Sequence, residues 1–185
     1  MVVIAVTGIL GAGKTTIANM LKEKGAALIE PDKIGWKVLE QKKDKIITSF
    51  GNEAITKGKV DRKKLGQIVF NNKKQLEKLN KITHTEIIKQ IKDEIKKKKQ
   101  KIIIIDAALY DKLKLGEITH KKILVKTTTE KICERLLNKY KKQQILDIIK
   151  IQKQSERADH TIDNNFSLEY TQKQVNILWQ ILNRK

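Results

Sequence analysis

The fold is decided by the stretch Gly8-Ile9-Leu10-Gly11-Ala12-Gly13-Lys14-Thr15, which has the form G-x-x-x-x-G-K-[ST] of a Walker A phosphate loop. Residues 2–6, directly before it, are β-branched and apolar and predict a short buried strand. Apolar residues at Ile17, Met20 and Leu21 follow with helical spacing. Strand, glycine loop and helix are the context that the motif requires, so a chance match by a glycine-rich turn is disfavoured.

This loop predicts how a nucleotide would be held. Its glycines let the backbone turn sharply and direct N–H groups at phosphate oxygens, and the helix N-terminus adds positive potential. Lys14 is expected to reach the β- and γ-phosphates, and the Thr15 hydroxyl is expected to bind Mg²⁺. The predicted ATP contacts of the loop are Gly11, Ala12, Gly13, Lys14, Thr15 and Thr16.

Length, cysteine content and hydropathy limit the class of protein. A chain of 185 residues fits one domain with a substantial core. Its one cysteine, Cys133, excludes an intrachain disulfide, and no apolar run reaches the roughly 20 residues that span a bilayer. The first six residues lack the basic region of a signal peptide. We therefore expect a cytoplasmic protein, with no membrane partner, that acts as a monomer.

The formal charge of +19 raises the possibility of nucleic-acid binding. Lysine and arginine total 40 and only four of these are arginine, so the charge comes from lysines spread along the whole chain. Aromatic residues are 4% of the chain, too few to suggest stacking platforms for single strands. Nucleic acid is therefore a less favoured partner, although a positive field would attract a polyanionic substrate.

The remaining pattern alternates strands with helices. Short apolar runs at 26–29, 101–106, 123–127 and 160–163 predict four further strands, and 168–182 predicts a closing helix. A long, mostly helical stretch at about 33–99 is too long for a simple crossover, so it predicts a substrate-binding insertion. The basic segment from Thr129 to about Gln154 is expected to be helical, with a small lid at about 132–157. The predicted fold is a single P-loop NTPase domain over 1–185, a three-layer α/β/α structure with a five-stranded parallel sheet.

Two aspartates follow strands at the sheet edge where ligands of open parallel sheets bind. Asp32 is the candidate general base for a phosphoryl acceptor, and the alternative is a turn residue or helix N-cap after Pro31. Asp106 ends an apolar strand and could hold Mg²⁺ directly or through water, or be a satisfied strand-end carboxylate. Because arginine is scarce in this chain, each arginine suggests a site that needs a planar guanidinium to bind phosphate through two hydrogen bonds. Arg62 lies in the insertion and Arg135 in the basic segment.

The ordered motifs resemble the dephospho-CoA kinase family from residue 2 to about 165. The likeness rests on residues 27–32 (ALIEPD), on Phe50-Gly51, on 58–65 (GKVDRKKL), on Val69-Phe70, on Leu79 and His84, and on 158–165 (ADHTIDNN). The resemblance implies that Asp32 activates the ribose 3′-hydroxyl of dephospho-CoA and that Lys14 clamps phosphate. It also implies substrate contacts from Arg62 and His84, and ATP contacts from Arg135 and Asn164. His84 could equally be a structural contact of an apolar helix face.

The chain departs from that family at a few positions. Thr85 stands where proline usually follows the histidine, Lys139 replaces a second lid arginine, and Phe166 replaces a glycine after the two asparagines. A glutamine common after the lid could be Gln152 or Gln154. These differences concern the lid contacts and leave the expected reaction unchanged.

The sequence therefore predicts a kinase that transfers the γ-phosphate of ATP to the 3′-hydroxyl of dephospho-CoA with Mg²⁺. Two alternatives stay open. A nucleoside-monophosphate or small-metabolite kinase would share the phosphate loop but not the pattern at 58–70. A nucleic-acid-binding ATPase would show turnover stimulated by DNA or RNA and a steep salt dependence of binding.

Overall fold

A computed structural model describes residues 1–70, 72–152 and 157–184. By its internal contacts the chain divides into two compact units. Unit 1 comprises residues 1–30 and 95–185, and unit 2 comprises residues 31–94. The predicted boundaries of an insertion at 33–99 and a lid at 132–157 stay predictions.

Unit 1 is built on a five-stranded parallel sheet, as predicted. In chain order the strands are β1 (Val2–Thr7), β2 (Ala27–Ile29), β5 (Ile102–Asp106), β6 (Lys121–Lys126) and β7 (His160–Asp163). Their order in the sheet is β2-β5-β1-β6-β7.

The centre of the sheet is formed by the two most continuously apolar strands. Ile4, Ala5, Ile103, Ile104 and Ile105 are fully buried. Strands covered on both faces have no solvent side that needs polar residues, which is why these runs do not alternate. The register pairs Val6 of β1 with Asp106 of β5, so the carboxyl ends of β1 and β5 meet at the same edge.

Helices α1 (Lys14–Glu23) and α8 (Leu168–Asn183) pack against the sheet through apolar stripes. Ile17 and Leu21 of α1 and Val175 and Leu178 of α8 share one core cluster with residues of four strands. Trp179 packs against the same cluster. The side chain of Ser167 accepts a hydrogen bond from the Tyr170 N–H and caps the start of α8.

The basic segment contains two helices, so its predicted continuous helical character was wrong at residues 137–141. Helix α6 spans Thr129–Leu136, and α7 spans Lys142–Ile151. The N–H groups of Lys139 and Tyr140 both bond to the carbonyl of Leu136, which closes the chain into a turn. The break carries neither glycine nor proline, so no strong signal marked it. The predicted end near Gln154 lies outside the described residues.

The described residues of unit 2 form four α-helices and one hairpin, and the last helix ends three residues beyond the unit. The helices are α2 (Pro31–Gln41), α3 (Lys43–Phe50), α4 (Arg62–Phe70) and α5 (Lys73–Lys97). Strands β3 (Ile55–Thr56) and β4 (Lys59–Val60) form the hairpin, which the sequence analysis did not predict. Its two turn residues, Lys57 and Gly58, both have positive φ, as the twist of a two-residue hairpin requires. A separate core of Ile46, Phe50, Ala54, Val60, Leu65 and Val69 holds this unit together.

Within the described part of the chain, no helix combines the length and apolar character needed to cross a membrane.

Candidate active site

The phosphate loop occupies the residues between β1 and α1. Gly13 adopts φ +98°, in the left-handed region, and forms the N-terminal boundary of α1. A Cβ atom at this position would overlap the side-chain nitrogen of Asn164. Gly13 therefore combines the backbone freedom of glycine with a close approach that only glycine permits.

Side chains from distant parts of unit 1 hold the outward-facing carbonyl groups of this loop. The carbonyl of Ala12 accepts hydrogen bonds from Thr127 Oγ1 at 2.9 Å, from Asn164 Nδ2 at 2.8 Å and from Arg135 Nη1 at 3.4 Å. Arg135 Nη1 also donates to the Gly11 carbonyl at 3.2 Å. Because a trans peptide group directs its N–H away from its carbonyl, these contacts favour amides that face the opposite side, where phosphates bind.

Arg135 and Asn164, both predicted as ATP-binding residues, are thus brought together against the loop. Arg135 Nη2 donates to the Asn164 carbonyl at 2.7 Å, so its guanidinium joins the loop to the end of β7. The Asn164 side chain is buried, and its oxygen accepts from Thr171 Oγ1 at 2.9 Å. In the structure both residues contact the loop itself.

Gln152 adds a contact from the C-terminal end of α7. Its Oε1 atom accepts a hydrogen bond from the Leu10 N–H at 2.8 Å. Of the two glutamines considered from the sequence, Gln152 therefore reaches the loop, and Gln154 lies outside the described residues. Phe166, which replaces a glycine of the family pattern, is exposed and packs edge-on against Tyr170 with ring centroids 5.1 Å apart.

Lys14 and Thr15 begin α1 and lie at the phosphate side of the loop. The Lys14 side chain is buried, and its ammonium donates to the Ile9 carbonyl at 3.0 Å, across the loop. Thr15 Oγ1 donates to Asp106 Oδ2 at 2.6 Å. The next residue, Thr16, is exposed in the first turn of α1. The structure therefore brings together the two predicted metal-binding residues, Thr15 and Asp106.

The Thr15–Asp106 pair fits Mg²⁺ by its chemistry. Hydroxyl and carboxylate oxygens are the hard ligands that Mg²⁺ prefers, and Mg²⁺ in phosphoryl-transfer sites takes most of its other ligands from water and phosphate. Among the described residues no cluster of three or more His, Cys, Asp or Glu could hold a metal by itself. A site with few protein ligands is the kind that a nucleotide-bound Mg²⁺ uses.

In unit 2, Asp32 and Arg62 each lie at the start of a helix. Asp32 is the second residue of α2, after Pro31, whose fixed φ suits the first helical position. Arg62 is the first residue of α4, and Asp61 caps that helix by accepting from the N–H groups of Lys63 and Lys64. Asp32 and Arg62 are both exposed.

The pKa of Asp61 lies below the ordinary aspartate value. The main cause is the hydrogen bond from the Lys64 N–H, followed by the one from the Thr56 hydroxyl at 2.8 Å. Asp61 is thus held in its ionised form, in which its oxygens act as acceptors for the cap.

Trp36 is a residue of this region that the sequence analysis missed. The guanidinium carbon of Arg62 lies over its indole ring, 4.0 Å from the ring centroid. One turn further along α2, Glu40 Oε1 accepts from the Val60 N–H at 2.8 Å. The spacing Asp32, Trp36, Glu40 was a visible signal, because residues four apart share one helix face.

His84 lies half-buried in α5. Its proposed contact with substrate stays a prediction.

The family comparison agrees with this geometry. The model of the family described as dephospho-CoA kinase matches residues 2–169. A dephospho-CoA kinase of Fusobacterium nucleatum is 37% identical over 184 residues, covering 95% of each chain.

Solved structures show the same fold. A structure described as dephospho-CoA kinase from Campylobacter jejuni has a TM-score of 0.66 at 27% identity, covering 97% of this chain and 96% of that one. A crystal structure of a Thermus thermophilus protein has a TM-score of 0.87 at 23% identity, covering 99% and 98% of the two chains. At that identity the second likeness concerns the fold alone.

Proposed function

The chain belongs to the dephospho-CoA kinase family of ATP-dependent phosphotransferases, and we propose which of its own residues carry the reaction. The observation that carries the proposal is the Thr15–Asp106 hydrogen bond beside a braced phosphate loop, at the ends of the adjacent strands β1 and β5. This arrangement combines a loop that binds phosphate with two oxygen ligands for Mg²⁺, and these are the two features that bind a nucleoside triphosphate.

On the donor side, the loop residues Gly11, Ala12, Gly13, Lys14, Thr15 and Thr16 bind the phosphates of ATP. The backbone N–H groups bind phosphate oxygens, and the Lys14 ammonium leaves the Ile9 carbonyl for the β- and γ-phosphates. Arg135 and Asn164 contribute to ATP binding through the loop, since their polar atoms contact its carbonyl groups. The predicted lid at about 132–157, of which the structure describes residues 132–152 and 157, closes over the phosphates and excludes water, so that ATP is not hydrolysed in an open site.

Thr15 and Asp106 would hold Mg²⁺, which supplies charge neutralisation on the phosphates when it is bound. The Thr15 hydroxyl directs its proton to Asp106, which leaves its oxygen lone pairs available as ligands. The carboxylate of Asp106 can accept at its second oxygen from a water molecule of the metal or bind the metal itself.

On the acceptor side, Asp32 is the general base that takes the proton of the ribose 3′-hydroxyl. Asp32 is exposed in the first turn of α2, and a carboxylate is one of the groups that act as a general base in proteins. Arg62 binds a phosphate of dephospho-CoA, because its guanidinium is a fork suited to phosphate. His84 contacts the same substrate.

The test measures CoA and ADP formation with Mg-ATP and a panel of acceptors: dephospho-CoA, AMP and CMP. We expect the wild type to prefer dephospho-CoA and Asp32→Asn to lower kcat by about 10²–10⁴-fold, the range of general-base catalysis. Asp44→Asn is the matched control, because Asp44 is an exposed aspartate in the first turn of the neighbouring helix α3. Full activity in Asp32→Asn would contradict the base role, and equal rates with AMP would contradict the acceptor preference.

The charge of +19 serves substrate attraction in this proposal. ATP and dephospho-CoA are both polyanions, and a positive field raises their local concentration. The same field makes copies of the chain repel one another, which favours a monomer, and the reaction belongs to the cytoplasm, where ATP is available. ATP turnover stimulated by DNA or RNA would instead support a nucleic-acid-dependent ATPase.

A further inference from the structure

Three side chains of α2 lie on one helix face, and two of them contact the segment that carries Arg62. Asp32, Trp36 and Glu40 are spaced four residues apart, so they follow one another along that face with about 5–6 Å between successive Cβ atoms. Glu40 holds the backbone of β4 through the Val60 N–H, two residues before Arg62. Trp36 holds the Arg62 side chain itself. We call the set Asp32, Trp36, Glu40 and Arg62 the acceptor face.

The Arg62 guanidinium is held from one side only. Its carbon lies 4.0 Å from the centroid of the Trp36 ring, well inside the distance of about 6 Å at which a cation–π contact is effective. Within the described residues Arg62 has this contact and no hydrogen bond or ion pair. Its N–H donors are therefore uncommitted, while its position is restrained by an indole plane.

The backbone of Arg62 is fixed independently of its side chain. Asp61 caps α4 by accepting from Lys63 and Lys64, and it also binds the Thr56 hydroxyl of the hairpin. The first helical residue, Arg62, is thus anchored by the cap, by Glu40 through β4, and by Trp36. An exposed arginine with a free side chain would lose several rotatable bonds on binding a ligand, and this restraint removes part of that entropy loss beforehand.

We propose that Trp36 is a positioning residue for the acceptor: its indole holds the Arg62 guanidinium beside Asp32, so that Arg62 binds the 5′-diphosphate of dephospho-CoA and presents the ribose 3′-hydroxyl to Asp32. The inference rests on the proposed roles of Asp32 and Arg62. The diphosphate and the 3′-hydroxyl are attached to the same ribose, so fixing one restricts the other. Trp36 acts through Arg62 and takes no part in the chemical step.

The test is a double-mutant cycle between Trp36→Ala and Arg62→Ala, read as KM for each substrate and as kcat. We expect Trp36→Ala to raise KM for dephospho-CoA by about 2–5-fold, the range of an exposed cation–π contact of about 0.5–1 kcal/mol, with KM for ATP unchanged. In the Arg62→Ala background the same change should have little further effect, because the residue that Trp36 positions is gone. Trp36→Phe, which keeps an aromatic face, should restore most of the affinity.

Lys78→Ala is the matched control for losing a cation–π contact in unit 2. The Lys78 ammonium lies 5.6 Å from the centroid of the Phe50 ring, within the same unit but outside the acceptor face. This variant should leave both KM values unchanged. A fall in thermal stability of Trp36→Ala alone, with KM unchanged, would overturn the inference and assign Trp36 a structural role.

A spectroscopic experiment reads the contact directly. The chain has two tryptophans, so in a Trp179→Phe background Trp36 is the only tryptophan, and its emission is followed by selective excitation of tryptophan. Addition of dephospho-CoA without ATP should change its fluorescence, and Arg62→Ala should remove most of that change. An unchanged emission would contradict the inference.

The outcomes separate this inference from the proposal on which it rests. If Arg62→Ala leaves KM for dephospho-CoA unchanged, the proposed role of Arg62 is wrong and the inference falls with it. If Arg62→Ala raises KM and Trp36→Ala does not, only the inference is overturned. If the two effects multiply in the double variant, Trp36 acts independently of Arg62, and the inference is again overturned.

Discussion

The phosphate loop and the acceptor face position their functional groups in opposite ways. The loop is surrounded by buried or bonded groups, and its Ala12 carbonyl alone accepts from three side chains of distant segments. On the acceptor face Asp32, Trp36 and Arg62 are exposed, and a single cation–π contact with Trp36 holds the Arg62 side chain. Several hydrogen bonds thus fix the phosphate loop together, whereas the exposed Arg62 side chain of the acceptor face is held by one contact.

This difference has a thermodynamic consequence. Removing a group that holds the loop leaves polar atoms without partners and misplaces several phosphate contacts together. Removing the side chain of Trp36 or Arg62 exposes little buried surface and weakens one contact. Variants of the loop should therefore have large effects on the binding of ATP, and variants of Trp36 and Arg62 should have moderate effects on the binding of dephospho-CoA.

After the loss of the proposed base Asp32, the largest effect is expected for Gly13→Ala, which tests the phosphate loop. Its Cβ would overlap Asn164 at a position with φ +98°, so the loop must shift away from its phosphate-binding geometry. A displacement of this kind lowers catalysis by about 100-fold. We expect kcat/KM for ATP to fall by that order, measured by steady-state kinetics at saturating dephospho-CoA.

Gly25→Ala is the control that separates the steric overlap with Asn164 from the backbone strain of a positive φ. Gly25 also has positive φ, at +108°, but nothing lies within 4 Å of a Cβ atom there. It should lower thermal stability and leave KM for ATP unchanged. An equal loss of activity in both variants would show that strain alone, and not the contact with Asn164, disables the protein.

A smaller effect is expected for Arg135→Ala. Its guanidinium donates to the carbonyls of Gly11, Ala12 and Asn164, and charge-assisted bonds of this type contribute more than neutral ones. We expect KM for ATP to rise by about 10–50-fold while KM for dephospho-CoA stays within twofold.

Arg135→Lys refines this prediction. Lysine keeps the charge but cannot reach two carbonyl groups with a planar fork, so it should recover only part of the affinity. Full recovery would indicate that charge alone is needed at this position, and that the bonds to the loop carbonyls are dispensable.

The smallest effect is expected for Asp61→Asn, on the acceptor side. Hydrogen bonds lower the pKa of Asp61 in the folded state, so the ionised cap stabilises the fold above the ordinary aspartate value of about 3.9. That stabilisation is lost as the pH falls through the lowered folded pKa. The midpoint of thermal unfolding should therefore be a few degrees higher for the wild type than for Asp61→Asn at pH 7. This difference in midpoint should shrink between about pH 4 and pH 3.

Asp61→Ala checks the cap itself. Asparagine can still accept the N–H groups of α4, whereas alanine cannot, so alanine should be less stable than asparagine at every pH. A difference between wild type and Asp61→Asn that persists unchanged down to pH 3 would contradict the role of the charge.

Much of the fold could be predicted from the sequence because its signals are local. The continuous isoleucines of residues 102–105 predict a central strand, and the glycine loop places a strand before it and a helix after it. The hairpin at 55–60 was missed because its strands have two residues each, too short for a periodic pattern. The break between α6 and α7 was missed because no glycine or proline marks it.

In the candidate site, the motif residues could be predicted from the sequence. The residues that hold them in place through contacts could not. Lys14, Thr15 and Asp106 follow from patterns within a few residues, and the structure brings Thr15 and Asp106 into contact. Thr127 and Trp36 did not stand out, because a threonine after a strand and an exposed tryptophan on a helix are common in many folds. Their importance depends on what lies against them.

The sequence by itself determined the five strands of the parallel sheet, the phosphate loop and the family to which the chain belongs, because these depend on residue types at short, fixed spacings. Only the tertiary structure decided that Arg135 and Asn164 brace the loop, that Thr15 meets Asp106, and that Arg62 rests on Trp36. The physical reason is that hydrogen bonds and cation–π contacts depend on distance and direction in space. Gly13 and Asn164 are 151 positions apart along the chain. They become neighbours only because the parallel sheet places the carboxyl ends of β1 and β7 on the same side.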